Sequence, residues 1–320
     1  MATALLFDRD RVDEVEDWAT RVDGLGRRSI LWIDLDNPDH DQIREVVESL
    51  ELSRESDERL RSDDDGPFFG DCEAYLHVTA CVPVRNGRSE IVAVDCLVAE
   101  HWVVTAHEAE VEVFDDFRQK AAGSGETGLL DGPAFLADLL EWVLQAYLWA
   151  FEDVELALEE FDTRAMGPEL EDPEAELRQL VAHRQEIGRL RRALVSHREM
   201  FLALTRPELD AITSSEHAER FRSLRQRLEE VVQVARDSRD SVVGSFDVLI
   251  ARAGQRTNET MKVLTLGALL FLPGALIAGV MGMNFRVGLF ETGWYFWVVC
   301  CVIVGLALVT LVLARVRRWI

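Results

Sequence analysis

The stretch VLTLGALLFLPGALIAGVMGMNF, Val263–Phe285, contains no Asp, Glu, Lys, Arg or His. A second stretch without these residues, Thr292–Ala314, follows after the short linker 286–291. About 20 apolar residues are enough to cross the hydrocarbon core of a bilayer. We therefore predict a membrane protein with one transmembrane hairpin near its C-terminal end, with spans at 263–285 and 292–314.

Positive charges flank this hairpin on one side. They are Arg252, Arg256 and Lys262 before the first span, and Arg315, Arg317 and Arg318 after the second. Loops rich in Lys and Arg stay on the cytoplasmic side of a membrane. The N-terminal part and the basic tail 315–320 are therefore predicted to be cytoplasmic, and the linker 286–291 to lie outside.

The chain is strongly acidic, with 58 Asp and Glu residues, 34 Lys and Arg residues and a formal charge of −24. Binding to nucleic acid requires a basic surface, so we do not expect a nucleic-acid partner. Two interpretations of the acidity remain open. The field could attract a cationic ligand, or it could reflect a bias shared by the proteins of a salt-adapted organism.

Residues 1–128 have the pattern of a cytoplasmic α/β domain. Ser29–Asp36 and Ala74–Arg85 have strand-like composition, and Glu90–Glu108 contains further strands. Asn37, with Pro38 directly after it, indicates the start of a helix between these strands.

Residues 129–214 are predicted to form long cytoplasmic helices, at Pro133–Met166 and Pro173–Thr205. A third helix begins near Ser215 and continues to Gly282, which makes it roughly 100 Å long at 1.5 Å per residue. Residues 215–262 would be the cytoplasmic stalk of this helix. Its predicted buried positions are Leu224, Leu228, Val231, Val232, Val242, Val243, Phe246 and Leu249.

Small and polar residues recur every three or four positions along the first span. They are Asn258, Met261, Thr265, Ala268, Leu272, Ala275 and Gly279. The spacing alone favours a helix-packing seam, because small residues let helices approach closely in membranes. The alternative is a pore wall. Two spans cannot enclose a path, so a pore would need several copies around an axis.

Two amides favour the pore. Asn258 lies near the cytoplasmic end of the first span and Asn284 at its outer end. Mg²⁺ loses its water reluctantly, so uncharged oxygens could hold the hydrated ion without stripping it. Apolar rings at Met261, Leu264 and Leu272 could close such a path by dewetting.

The stretch TNETMKVLTLGALLFLPGALIAGVMGMNF, Thr257–Phe285, closely resembles the first-span signature of the CorA-type magnesium transport proteins, the Gly-Met-Asn superfamily. A second span and a basic tail ending ARVRRWI follow and strengthen the resemblance. Weaker likeness covers the segments LWIDLDNP and HWVVTAHE. The matching positions are Gly282, Met283 and Asn284 for the Gly-Met-Asn motif, and Asn258, Glu259, Met261 and Lys262 for the lead-in.

The resemblance implies a funnel-shaped homopentamer that transports Mg²⁺, with Co²⁺, Ni²⁺ or Zn²⁺ as further candidate cargo and no bound cofactor. Five first spans would line the pore, and Gly282, Met283 and Asn284 would capture the hydrated ion at its outer entrance. By position, the residues that match pore-facing residues of the family are Asn258, Met261, Leu264, Thr265, Leu272 and Asn284.

Other functions stay open at this point. A zinc transporter of the same superfamily is the nearest alternative, although Met283 favours magnesium. A membrane-anchored sensory or structural oligomer is the alternative from another class. We do not expect an enzyme, because the sequence contains no nucleophile–base pair or phosphate loop. His101 and His107 lack metal-ligand spacing and are expected to serve in packing.

The sequence departs from the family in two places. Arg286 follows the Gly-Met-Asn-Phe motif where many members have acidic residues, and Glu291 is the only acid in the loop. Ser223 and Gln226 stand on the stalk where the family often has aspartates that sense Mg²⁺. Asp247 matches another family carboxylate and is a possible stalk site.

Overall fold

The computed structural model describes residues 2–8, 11–26, 29–62, 66–85, 89–109, 111, 114, 131–167, 173–209, 215–283 and 294–316. The chain divides into two compact units. The first consists of Met1–Arg164 and Leu170–Phe246, and the second of Ala165–Glu169 and Asp247–Ile320.

The first unit contains a mixed sheet with the strand order β2-β1-β3-β7-β6-β5-β4. Strands β3 and β7 are parallel, and all other neighbours are antiparallel. The strands are β1 (Ala2–Asp8), β2 (Arg11–Glu14), β3 (Ser29–Asp36), β4 (Phe68–Asp71), β5 (Leu76–Arg85), β6 (Ser89–Val98) and β7 (Trp102–His107). The predicted strand Ser29–Asp36 is confirmed, and Glu90–Glu108 does contain two strands.

Strand β3 is buried on both faces, which explains its nearly continuous apolar sequence. On one face Ile33 shares a core cluster with Val46. On the other face the ring of Trp32 lies 6.4 Å from that of Phe7 and 5.4 Å from that of Phe135, between centroids. The sheet therefore has helices or loops packed against both sides.

Two short helices follow β3, namely α1 (His40–Ser49) and α2 (Arg54–Leu60). The predicted helix start at Asn37 is wrong. Asn37 has a φ of 46°, and the residue before a proline disfavours helical backbone. The N-cap is Asp39, whose side chain accepts hydrogen bonds from the N–H groups of Asp41 and Gln42. The Gln42 side chain accepts one from the Asp39 N–H in return.

Five further helices complete the described chain. They are α3 (Gly132–Met166), α4 (Pro173–Ser196), α5 (Arg198–Ala203), α6 (Ser215–Met281) and α7 (Trp294–Val316). The prediction of one helix over Pro173–Thr205 is wrong, because the chain breaks at His197. Here the N–H of Cys81 in β5 donates to His197 Nε2 at 2.9 Å. This bond satisfies a backbone N–H of β5 that has no partner in β4, because the pairing of β4 with β5 ends at Thr79.

Helix α6 has a buried stripe whose members are spaced alternately by four and three residues, as in a coiled-coil seam. The stripe consists of Leu224, Leu228, Val231, Ala235, Ser238, Val242, Ser245 and Leu249. The prediction for Val243 is wrong, because this side chain is 51% exposed. Ser238 lies on the stripe instead, and its hydroxyl donates to Glu155 Oε1 of α3 at 2.8 Å.

By length and composition, three helices of the described chain could cross a membrane. In the most apolar 18 residues of α6 and of α7 no residue is buried in the protein, whereas in those of α3 the buried share is 67%. By length and composition alone, α3 would therefore also qualify as a membrane span. Because the apolar residues of α3 pack inside the first unit, only α6 and α7 present apolar surface to a bilayer.

Candidate conduction site

The residues predicted to line a pore lie on one exposed face of α6, which we call the polar stripe. Its members are Asn258, Met261, Leu264, Thr265, Ala268, Leu272, Ala275 and Gly279, and all are exposed. The proposed gate residues are open to the surroundings, with exposed fractions of 57% for Met261, 64% for Leu264 and 67% for Leu272. None of the residues that the structure describes covers this face.

The packing seam of the hairpin lies on a different face of α6. A Cβ at Gly274 would be 3.1 Å from Cγ2 of Ile303 in α7, which marks the closest approach. The half-buried residues of α6 around this contact are Leu266, Gly267, Leu270, Pro273, Gly274, Ile277 and Met281. At 3.6 residues per turn, this face is roughly half a turn away from the polar stripe.

Within one chain, the position of this contact tests whether the polar stripe is a helix-packing seam or is free to form a pore wall. The contact with α7 uses Gly274, so the polar stripe is not the seam of the hairpin. Of the remaining exposed positions on the apolar part of α6, Ala278 is small and five are bulky and suit lipid or another helix. The bulky ones are Val263, Leu269, Phe271, Leu276 and Val280. The stripe carries Thr265, the polar side chain of this apolar part, together with small residues.

Thr265 is the polar group in the middle of the stripe. Its hydroxyl donates to the Met261 carbonyl at 2.7 Å, so the donor is satisfied within the helix. The hydroxyl oxygen keeps acceptor capacity on the exposed side. The group can therefore accept a hydrogen bond from a water of a passing hydrated cation without leaving an unpaired donor in the membrane.

The outer end of the stripe coincides with the end of α6. The helix ends at Met281, and the N–H groups of Gly282 and Met283 still donate to Ala278 and Val280 at 2.9 and 3.3 Å. Gly282 has no positive φ, and a Cβ there would meet only ordinary contacts from 3.4 Å. The chain therefore does not require glycine to leave the helix at this position. Asn284, Arg286 and Glu291 lie outside the described residues.

The stalk positions do not form a metal site within one chain. Ser223, Gln226 and Asp247 are all exposed, and the Gln226 side-chain amide donates to Glu230 at 3.4 Å. Among the described residues, no group of three or more His, Cys, Asp or Glu side chains could hold a metal ion. A cation site at Asp247 would need ligands from elsewhere.

The predicted packing role of His107 is confirmed. Its Nε2 lies 3.3 Å from Oδ1 of buried Asp34, and its ring stacks on Phe114 at 4.9 Å. Burial by itself lowers the pKa of His107, but the bond to Asp34 and its charge outweigh this and raise the pKa. Thr105 also donates to Asp34 Oδ1, at 2.5 Å. No pattern in the sequence indicates this buried polar network.

A sheet domain, long helices and two apolar C-terminal helices together define a membrane protein with a large water-soluble part. The chain belongs to the family described as CorA-like Mg²⁺ transporter protein, whose model matches residues 27–318. The resemblance found in the first span is thereby confirmed. Because this is a family of transporters, the prediction that the chain is not an enzyme is confirmed as well.

Two relatives show how distant the likeness is. The chain is 25% identical over 230 residues to a cobalt/magnesium transport protein CorA of Thermotoga maritima, covering 71% of this chain and 64% of that protein. The match therefore spans just under two thirds of that relative's length. A protein of the same description from Methanocaldococcus jannaschii is 20% identical over 295 residues, with 91% and 92% covered.

The fold is shared with a solved structure. The complete structure of the CorA magnesium transporter from Methanocaldococcus jannaschii matches with a TM-score of 0.80 and 17% identity, over 100% of this chain and 99% of that one. The predicted fold class is confirmed at the level of one chain, as an N-terminal mixed sheet domain with long helices and apolar C-terminal helices.

Proposed function

We propose that this chain transports Mg²⁺, with Co²⁺ and Ni²⁺ as further cargo, across the cytoplasmic membrane. The family and the names of the two relatives support a divalent cation as the cargo. The observation that carries the proposal is the polar stripe, which α6 leaves uncovered on the side away from α7. In a homopentamer, five such stripes would surround one axis.

The proposed mechanism keeps the water shell of the ion. Gly282, Met283 and Asn284 form the outer entrance, where the amide oxygen of Asn284 meets the hydrated cation. Thr265 accepts hydrogen bonds from the shell in the middle of the path, and Asn258 does so at the cytoplasmic end. Uncharged oxygens bind weakly enough to let the ion leave, which conduction requires.

The gate is proposed to be apolar. Met261, Leu264 and Leu272 present exposed apolar side chains along the same stripe. Five copies of each would form narrow apolar rings, and such a constriction stops ions by losing its water. Lipid surrounds the hairpin, and both chain termini lie in the cytoplasm, as the positive-inside rule predicts.

Flux measurements on purified protein in liposomes test this function. We expect Mg²⁺ uptake by the parent protein and none by Asn284→Ala. Uptake of Zn²⁺, Co²⁺ and Ni²⁺ in the same vesicles, with and without a pH gradient, separates a magnesium from a zinc transporter. If the parent protein passes no ion, the alternative of a membrane-anchored sensory or structural oligomer replaces this proposal.

A matched pair of threonines tests the pore face itself. Thr310 of α7 donates to the Leu306 carbonyl at 2.8 Å, as Thr265 does to Met261 on α6. Thr265→Val should therefore lower Mg²⁺ flux, whereas Thr310→Val should leave it unchanged. Equal flux in both variants would show that the polar stripe does not line the path.

A further inference from the structure

A groove in the first unit is lined by five arginines, and we call it the arginine groove. Arg184, Arg189, Arg191 and Arg192 come from α4, and Arg239 comes from α6. The groove has a volume of about 790 Å³. Small-molecule sites typically have volumes of roughly 300–1,000 Å³, so its size suits a small ligand better than a flat protein surface.

The four arginines of α4 lie close together in a very acidic chain, in which acidic residues outnumber basic ones by 58 to 34. Within the part of the chain that the structure describes, none of the four forms an ion pair. Some other arginines do pair, such as Arg178, which lies 3.8 Å from Glu174, and Arg198, which lies 2.6 Å from Glu229. The four arginines together therefore concentrate positive charge along the groove.

Two carboxylates, those of Asp240 and Glu186, reduce the positive charge of the groove only in part. Arg239 pairs with the neighbouring Asp240 at 3.1 Å. Glu186 is the one carboxylate among the lining residues, and it lies 3.8 Å from His183 on the same helix. Because the positive charges still predominate, the groove should attract an anion.

The chemistry of the groove favours phosphate groups joined in a chain. A guanidinium group donates two parallel hydrogen bonds to a phosphate, which makes arginine well suited to phosphate recognition. Arg184 and Arg191 are about 10 Å apart along the helix axis, at 1.5 Å per residue. A linear polyphosphate can therefore contact guanidinium groups at both ends of the groove, whereas a single phosphate cannot.

Part of the groove is apolar. Val181, which is 39% exposed, and Ala182 lie on its wall. The Arg192 side chain passes over Gly188, since a Cβ on that glycine would lie 3.5 Å from Arg192 Nη1. An apolar ring can lie on this wall beside the arginines, and guanidinium planes also stack on aromatic rings.

We propose that the arginine groove binds a nucleoside triphosphate, with the phosphates on the arginines and the base against Val181 and Ala182. Mg²⁺ binds to such ligands through their phosphates and reduces their negative charge. The metal-free form should therefore bind more tightly than the Mg²⁺ complex. If the function proposed above is correct, this preference would let the transporter respond to a shortage of Mg²⁺.

Binding of a fluorescent ATP analogue to the full-length protein in detergent tests the proposal, without any measurement of transport. With EDTA present, we expect binding by the parent protein and at least a tenfold weaker affinity for the double variant Arg191→Gln, Arg192→Gln. The matched control is Arg222→Gln, Arg225→Gln, which removes two exposed arginines of α6 that do not line the groove. The control should bind within twofold of the parent.

Several results would overturn the proposal. The first is no binding of the analogue near physiological salt, and the second is equal loss of affinity in the groove variant and the control. The third is a change in oligomer mass of the groove variant, which would mean that the arginines contact another copy of the chain. Added Mg²⁺ should weaken binding several-fold, and vesicles of phosphatidylglycerol should not compete with the analogue. Competition by those vesicles would identify a lipid site instead.

Discussion

His197 shows how one side chain sets a local structure and its pH dependence. Its Nδ1 lies 2.7 Å from the Ala193 carbonyl, and its Nε2 accepts the N–H of Cys81. Tyr147 donates to the Cys81 carbonyl at 3.0 Å, so both backbone groups of this strand residue are satisfied by side chains. The ring must be neutral to accept at Nε2 while donating at Nδ1.

Burial lowers the pKa of His197 from 6.5 to about 4, against smaller opposing effects of its backbone contacts. The unfolded chain takes up a proton near pH 6.5 and the folded chain does not until near pH 4. The contribution of His197 to stability is therefore complete above pH 6.5 and is lost as the pH falls toward 4. Its size over that range is about 3 kcal/mol.

We predict that the thermal midpoint of the full-length protein in detergent falls between pH 7.5 and pH 5.0 by more than that of His197→Gln. Glutamine can still accept from the Cys81 N–H, but it does not titrate. His107 has the opposite sign, because its raised pKa gives stability below pH 6.5 that is lost as the pH rises. Because His107 is present in both proteins, its contribution to the pH dependence cancels when the parent protein and His197→Gln are compared. The same pH dependence in both proteins would contradict the role assigned to His197.

At the scale of elements, α6 carries different surfaces along and around one helix. Toward its N-terminal end it buries a heptad-spaced stripe in which Ala235, Ser238 and Ser245 keep the side chains small. Toward its C-terminal end, Gly274 faces α7 and the polar stripe faces away from it. Two glycines one and a half turns apart thus have different neighbours, namely Gly274 against Ile303 and Gly279 with nothing within 4 Å.

This difference predicts that valine affects stability at one of these positions and transport at the other. Gly274→Val should destabilise the hairpin by about 1–3 kcal/mol, because the added side chain enters the contact with Ile303. Gly279→Val should leave stability unchanged and lower Mg²⁺ flux, since it adds bulk to the polar stripe. Thermal midpoints in detergent and liposome flux, measured on both variants, check the two effects. Stability loss in Gly279→Val alone would mean that the faces are assigned the wrong way round.

At the scale of the whole molecule, the apolar helices of one chain have surfaces that the chain itself does not cover. In the most apolar 18 residues of α6 and of α7, no residue is buried within the chain. Polar groups such as Thr265 are costly to expose to lipid, which favours an arrangement that turns the polar stripe toward other copies. Closed rings are the common solution for identical subunits.

We predict that the purified protein is a homopentamer. Native mass spectrometry should give a mass about five times the 36.2 kDa of one chain, apart from bound lipid. The same mass is expected with and without Mg²⁺, because Ser223 and Gln226 on the stalk carry no carboxylate that could bind the ion. A monomer or dimer that still passes Mg²⁺ would contradict the ring.

Several features could be predicted from the sequence because they depend on local composition. Strand β3 follows from a short apolar run that contains the β-branched and aromatic residues Ile30, Trp32 and Ile33. The apolar helices follow from the absence of charge over a membrane-spanning length. The family follows from residues 257–285, where a specific order of side chains, rather than their average character, carries the information.

Only the tertiary structure decided which neighbours these residues have. The heptad on α6 excludes Val243 and includes Ser238, because burial depends on the position of α3 rather than on the apolarity of a side chain. The break at His197 depends on a strand more than a hundred positions earlier in the chain. Likewise, periodicity placed the polar stripe on one face of α6, but only the contact between Gly274 and Ile303 showed that α7 packs on another. A helical pattern specifies the direction in which a side chain points around the helix axis, whereas packing decides which partner lies in that direction.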